Sequence, residues 1–223
     1  MAAGDDDIVA ALERLADAVG APSDGFVPQP AVRPERPTGE LTSQSVSEAL
    51  GAVLPEGAIV ADEANTSGLF APGATAGCPP HDWLCLTGGS IGIGLPLATG
   101  AAVACPDRQV VCLQADGSAL YTIQALWTQA REGLNVTTIL FNNRSYAVLN
   151  MELNRVGATN VGSQARAMLD LTNPDQDFVS IARGLGVDAV RATDAADLCD
   201  QLERCFAEPG PHLIEVVIPP LGL

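Results

Sequence analysis

Two short stretches of this 223-residue chain carry residue types that could hold an anion through a cation: Ala115-Asp116-Gly117-Ser118, and the paired amides Asn142 and Asn143. Each closes an apolar run with the composition of a buried strand, VVCLQ before the first and VTTILF before the second. Asp116 and Asn143 lie 27 residues apart, which leaves room for a turn, a helix of about three turns and a strand. A right-handed crossover between parallel neighbours would bring both residues to the carboxyl ends of adjacent strands, where open α/β sheets bind ligands. A carboxylate and an amide oxygen beside glycine-freed backbone suit a hard divalent cation that also holds phosphate oxygens. Asp-Gly-Ser alone reads equally well as a turn with an N-cap. Strand-end placement of both halves, and the spacing between them, favour a Mg²⁺-phosphate site with Asp116 and Asn143 on the metal and Gly117 and Ser118 on phosphate oxygens.

The elements that would position this pair can be followed along the chain. Asp7 to Val19 has helical apolar spacing, and the stretch from Gly20 to Gly39 carries five prolines without periodicity. Residues 1–20 are therefore expected to be a helix from a preceding domain and 21–41 a linker, or else the whole is an extension without fixed structure. The main domain is expected over 42–223. It opens with a helix whose capping box pairs Ser45 with Glu48 and which Pro55 and Gly57 end. A strand, AIVA, runs through Asp62 and Glu63 into ANTSG, and a Pro- and Gly-rich loop holding His81 follows.

WLCLT then leads into GGSIGIGLPLATGAAVA, whose glycines imply close backbone approach and whose small residues imply a tightly packed helix. After Asp116 a helix is expected from about Thr122 to Glu132, with Ile123, Leu126, Trp127 and Ala130 on one face and Gly133 as its stop. Asn154 to Asp175 is polar and aperiodic, which fits disorder or a lid. The helix FVSIARGLG, the strand VDAV, an amphipathic helix from Asp194 to Ala207 and the strand HLIEVVI complete the chain. The tally predicts a doubly wound, mostly parallel six-stranded α/β sheet with helices on both faces.

Composition narrows the function. A formal net charge of −16 argues against a nucleic-acid or anionic-membrane surface, so a polyanionic ligand would need backbone N–H groups or a metal ion. Six cysteines without CxxC spacing, and no secretory h-region, predict buried reduced thiols in a cytoplasmic protein. The P-loop pattern GxxxxGK[ST] is absent. As a dinucleotide fingerprint the glycine run is broken, because G-I-G-L-P-L places Pro96 inside the motif.

From about Thr42 to Pro219 the sequence resembles the C-terminal, diphosphate-binding domain of thiamine-diphosphate-dependent enzymes of the acetolactate synthase and benzoylformate decarboxylase group. The family signature Gly-Asp-Gly-Ser, about 25 residues, Asn-Asn reads here as ADGS…FNNRSY. The resemblance implies Mg²⁺ held by the side chains of Asp116 and Asn143 and the carbonyl of Ser145, with Thr66, Gly117 and Ser118 on the diphosphate. It implies that Gly89, Ser90 and Ile91 meet the middle of the cofactor, with the Gly89 carbonyl on the aminopyrimidine and Ile91 wedged beneath the bend. That bend brings the 4′-imino nitrogen beside thiazolium C2. Tyr146 and Val148 would line the cofactor site, and Val148, Leu149 and the segment after Asn154 the acceptor pocket. An apolar Leu149 favours carboligation over simple protonation.

Two departures stand out. Ala115 replaces the first glycine of the signature. The glutamate that activates the pyrimidine belongs in this family to another domain, so no catalytic residue is identified in this chain, and Glu63 lies in the wrong part of the site to replace it. The expected partners are that pyrimidine-binding domain, on another chain or in an N-terminal part, a 2-oxo acid substrate, and further copies or subunits in a homo- or hetero-oligomer, with neither nucleic acid nor membrane. The alternative is a catalytically incomplete cofactor-binding subunit or interaction module.

Overall fold

The computed structural model describes residues 7–23, 29–158 and 160–220; residues 24–28 of the proline-rich stretch and Thr159 of the later irregular segment lie outside the described residues. The chain divides into two units, residues 1–30 and 31–223. In the first, helix α1 (Ile8–Ala18) is capped by Asp7, whose side chain accepts from the backbone N–H of Val9 and Ala10. None of its residues is buried, and Ile8, Val9, Leu12 and Leu15 are all exposed.

The second unit begins eleven residues before the predicted boundary at 42. The Arg33 guanidinium donates to the carbonyls of Gly51, Ala52 and Leu54, and Arg36 pairs with Asp200 and Glu203. The later part of the proline-rich stretch is thus strapped to the domain rather than spanning free space.

The unit holds one six-stranded, wholly parallel sheet in the order β2-β1-β3-β4-β6-β5, built from β1 (Ile59–Glu63), β2 (Asp82–Cys85), β3 (Val110–Ala115), β4 (Val136–Asn142), β5 (Asp188–Arg191) and β6 (His212–Val217). Connections that move one way along this order carry α4 (Gly94–Ala104), α5 (Asp116–Thr122), α6 (Ala125–Glu132), α7 (Ala147–Arg155), α8 (Ser163–Ala167) and α9 (Phe178–Gly184). Those that move the other way carry α3 (Ala71–Thr75) and α10 (Ala195–Ala207). With every crossover of one hand, reversing direction puts a helix on the opposite face, and this produces the double winding.

Two apolar layers result. Leu95, Leu126 and Phe178 pack with Val110, Cys112 and Leu140 on one face, and Leu50, Leu198 and Leu202 with Val111, Leu113 and Ile139 on the other. Alternate residues of β3 and β4 serve both layers, which is why their sequences read as unbroken apolar runs.

Several local expectations are corrected. The capping box of α2 (Ser43–Val53) pairs Thr42 with Ser45, because the helix starts earlier than periodicity suggests, and Glu48 instead accepts from the Gln44 side chain. The helix expected from about Thr122 to Glu132 is α6, ended by Gly133 at φ +60°, and a further helix outside that expectation, α5, precedes it from Asp116. Trp127 does not share the buried face of Leu126; it is half exposed beneath the Arg131 guanidinium, 4.9 Å from the ring centroid. Cys112, Cys199 and Cys205 are buried free thiols, but Cys85 is exposed at the outer edge of the sheet.

Candidate functional site

Strands β3 and β4 pair in register from Val110↔Val136 to Ala115↔Phe141, so Asp116 and the Asn pair leave the sheet side by side. Asp116 is 2% exposed. Its Oδ1 accepts from the Gly117 N–H at 2.8 Å and its Oδ2 from the Arg144 N–H at 2.7 Å. The second bond crosses from one strand end to the other and fixes the carboxylate against the Asn143 turn. Arg144 holds φ +57°, and Asn65, on the facing 3₁₀ turn Asn65–Gly68, holds φ +51°. These are the only non-glycine positive-φ residues among those described, and both flank the same crevice, where such backbone cost is tolerated when surroundings dictate it.

Asn143 is equally fixed. Its Nδ2 donates to Ser67 Oγ at 2.9 Å, which assigns the amide orientation, and its Oδ1 accepts from the Ser145 N–H at 2.9 Å. Asn142 points the other way. Its Nδ2 donates to Glu215 Oε1 at 2.7 Å, and that buried carboxylate is met by the Arg191 guanidinium at 2.8 Å. The two consecutive amides therefore have different work: Asn143 faces the crevice, and Asn142 ties the end of β4 to β6.

A cavity of about 430 Å³ opens over these groups. It is lined by Thr66, Ile91, Asp116, Gly117, Ser118, Asn143, Ser145, Tyr146 and Val148, together with Asn65, Tyr121, Leu149 and Met168. The structure thus gathers most of the sequence-predicted set and leaves two of it aside: Gly89 and Ser90 sit in the exposed turn before Ile91 and do not line the cavity. Gly117 lies against the ring of Tyr146, where a Cβ would meet Cε1 at 2.6 Å. Glycine is required there by close approach, since its φ is not in the left-handed region.

Among the described residues, Asp116 is the single carboxylate lining the cavity. Burial pushes its carboxyl up to about 6, against the opposing pull of the Gly117, Arg144, Asn143 and Ser145 backbone N–H groups. Oxygen donors are what the crevice offers a cation: the Asp116 carboxylate, the Asn143 amide oxygen and nearby backbone carbonyls. That set suits Mg²⁺ and lacks the sulfur and imidazole ligands that zinc sites favour. A second group, Asp188, Glu208 and His212, could also offer ligands, but Arg204 Nη1 already holds both carboxylates, at 3.1 and 2.9 Å. It is an ion-pair network.

Sequence reasoning missed the partners of Glu63 and the role of Gln114, whereas it expected the segment after Asn154 at the acceptor pocket. Glu63, 1% exposed, accepts from the N–H groups of Gly92 and Gly94 at 2.5 and 2.6 Å, so both of its oxygens are engaged away from the cavity. The later part of the aperiodic stretch is tied to the site by backbone bonds: Tyr146 N–H donates to the Leu169 carbonyl and Leu171 N–H to the Arg144 carbonyl, which brings Leu169 and Met168 to the cavity rim. His81 stays outside, its Nδ1 against the Pro79 carbonyl and its ring edge-on to Trp83.

Fold and site together define a parallel α/β domain with a polar, oxygen-rich crevice at its strand ends. The model of the thiamine pyrophosphate enzyme C-terminal TPP binding domain matches residues 73–216, and the chain belongs to that family. It is 56% identical over 212 residues to a Mycobacterium tuberculosis protein bearing the name acetolactate synthase large subunit IlvX, covering 95% of this chain and 41% of that one. It is 32% identical over 213 residues to benzoylformate decarboxylase of Pseudomonas aeruginosa, covering 94% and 39%. Among solved structures, the thiamine diphosphate-dependent 4-hydroxybenzoylformate decarboxylase of Rhodococcus jostii RHA1 superposes with a TM-score of 0.76 at 29% identity, again over 94% of this chain and 39% of the other. The chain therefore spans about two fifths of the length of these relatives. No helix among the described residues is long and apolar enough to cross a membrane.

Proposed function

We propose that the chain is the diphosphate-binding part of a thiamine-diphosphate- and Mg²⁺-dependent 2-oxo acid carboligase or decarboxylase, of the acetolactate synthase large-subunit type. The observation that carries this is the convergence of Asp116, Asn143, Ser145, Gly117, Ser118, Thr66 and Ile91 on one cavity at the switch between strand ends. Asp116 and Asn143 would hold Mg²⁺ through side-chain oxygens and Ser145 through its carbonyl, while Thr66, Gly117 and Ser118 would take the diphosphate. Ile91, Tyr146 and Val148 would meet the cofactor's middle, with Gly89 and Ser90 approaching from the adjoining turn.

Thiamine diphosphate, when bound, would supply the electron sink that decarboxylation of a 2-oxo acid requires. The chain's own residues would bind the cofactor's tail, orient it and hold the cation against the buried Asp116 and Asn143 side chains. A pyrimidine-binding domain, on another chain or in a further part of this protein, would supply the activating carboxylate, and a homo- or hetero-oligomer in the cytoplasm would bring the two together. That Asp116 is the one carboxylate among the described residues lining the cavity supports that division. Leu149 at the rim favours addition of a second carbonyl over protonation.

Calorimetry with thiamine diphosphate and Mg²⁺, with a pyrimidine-binding partner present, tests this on the parent chain and on Asp116→Ala. Saturable binding to the parent and none to the variant is expected; equal binding to both refutes the assignment. A second reading, that the chain alone binds cofactor without turning substrate over, is favoured by Glu63, whose oxygens are committed to Gly92 and Gly94. Sustained CO₂ release from pyruvate by the purified chain alone would rule that second reading out.

A further inference from the structure

We infer that Glu63 is a positioning residue that holds the Ile91 turn at a fixed height over the anchor, with Gln114 registering that turn against Ser118. The inference rests on the thiamine-diphosphate reading above and extends it to residues that touch neither cofactor nor metal. Glu63 closes β1, and its carboxylate lies 1% exposed with no ion-pair partner among the described residues; it accepts there from three neutral N–H groups. Two belong to the backbone of Gly92 and Gly94, directly after Ile91. The third is Gln114 Nε2 at 3.2 Å. The same Gln114 nitrogen donates its other hydrogen to Ser118 Oγ at 2.6 Å. With a carboxylate on one side and a hydroxyl on the other, the amide orientation is dictated, since the flipped amide would set oxygen against carboxylate oxygen.

The arrangement has a consequence at each end. At Ser118, one lone pair is occupied by Gln114, and the hydroxyl hydrogen, which rests on the Ala115 carbonyl at 3.2 Å, is free to rotate toward an anion in the cavity. At the turn, the Gly92 carbonyl accepts from Thr122 Oγ1 at 2.9 Å while its N–H donates to Glu63. Thr122 ends α5 and Asp116 begins it, so one helix reaches both the anchor and the turn. The fit is close as well as polar. Gly92 holds φ +96°, and a Cβ on Gly94 would meet Gln114 Oε1 at 2.4 Å and Glu63 Oε2 at 2.9 Å. Ile91, 45% exposed at the cavity wall, is thereby held by its backbone without being packed by its side chain. A carboxylate is needed because both backbone groups are donors: an amide at position 63 could accept from one and would confront the other with an N–H.

Amide hydrogen exchange on the full chain without cofactor reads the clamp, and calorimetry with thiamine diphosphate and Mg²⁺, with the pyrimidine-binding partner present, reads its purpose. In Glu63→Gln, exchange at Gly92 and Gly94 should quicken at least tenfold while the amides of β3 stay unchanged, and cofactor affinity should fall at least tenfold. Glu63→Asp, which keeps the charge but is one methylene short, should be intermediate in both and serves if the glutamine variant does not fold. Gln114→Leu should leave exchange at Gly92 and Gly94 within threefold of the parent yet weaken inorganic diphosphate with Mg²⁺ three- to tenfold. Unchanged exchange at the two glycines in Glu63→Gln, or faster exchange with parental affinity, overturns the inference alone. A parent that binds no cofactor refutes the underlying reading and removes the inference with it.

Discussion

The two walls of the cavity are built by different means. On the anchor side, Asp116, Ser118 and Asn143 are each no more than 6% exposed, and each has its hydrogen-bond partners in place before any ligand arrives. On the opposite side, Ile91, Val148, Leu149 and Met168 are 45, 41, 46 and 76% exposed and present apolar side chains to solvent. A polar site that must hold a charged group gains from preorganisation, because its dipoles need no rearrangement at binding. An apolar wall gains from being covered, at about 25 cal/mol for each Å² removed from water. On the proposed reading, the polar wall is a preorganised half for the cofactor's tail, and the apolar wall is the half that a covering surface would complete.

The sharpest way to break the contrast is at the carboxylate. Asp116→Ala should weaken thiamine diphosphate with Mg²⁺ by two orders of magnitude or more, roughly 2.7 kcal/mol at 25 °C; a tenfold loss or less by calorimetry would mean that the anchor side is not the tail site. Gly117→Ala comes next. Its new Cβ would stand 2.6 Å from the Tyr146 ring, so a destabilisation of about 1–3 kcal/mol is expected in thermal unfolding. The double variant with Tyr146→Ala should recover part of that loss, a coupling that a backbone effect alone would not give.

The pH dependence separates the walls further. Burial raises the Asp116 carboxyl to about 6, so the folded chain keeps a proton that the unfolded chain releases near 4. The sign follows: this group's contribution to stability is fully present below about 4 and is lost as pH rises through about 6. A cation at the site would compensate the ionised form. Cofactor affinity measured with Mg²⁺ should therefore drop close to tenfold per unit as pH falls below about 6, whereas a flat profile from pH 7 to 5 would leave Asp116 without a role in holding the cation. The smallest effect is expected on the apolar wall. Val148→Ala and Leu149→Ala should change the affinity of inorganic diphosphate with Mg²⁺ by less than threefold, and a larger change in that titration would erase the distinction between the two halves.

What could be read from the sequence divides along physical lines. Asp116 and Asn143 were legible together because two apolar runs at β-α-β spacing leave one topology open, and the parallel β3–β4 register fulfils it. The glycine run announced close approach, and Gly92 and Gly94 show it. Glu63 was legible as a strand-end acid but not as a clamp, because its main partners are backbone N–H groups 29 and 31 residues away, and a backbone donor has no residue type to recognise. The segment after Asn154 was legible as a contributor to the pocket, but the same reason hid the backbone bonds by which Leu169 and Leu171 return onto Tyr146 and Arg144. Trp127 misled because helical periodicity gives spacing without saying that the apolar layer ends at Leu126; its ring is covered by Arg131 instead. The prolines hid the strapping of residues 31–40, since Arg33 binds through carbonyls at the end of α2.

The most direct measurement of the central claim is the position of a bound divalent ion. Crystals grown with thiamine diphosphate and Mn²⁺ in place of Mg²⁺ should give an anomalous peak within bonding distance of an Asp116 carboxylate oxygen and of Asn143 Oδ1, with diphosphate density against Gly117 and Ser118. A peak at Asp188, Glu208 and His212 instead, or cofactor density with no ion at Asp116, would contradict it.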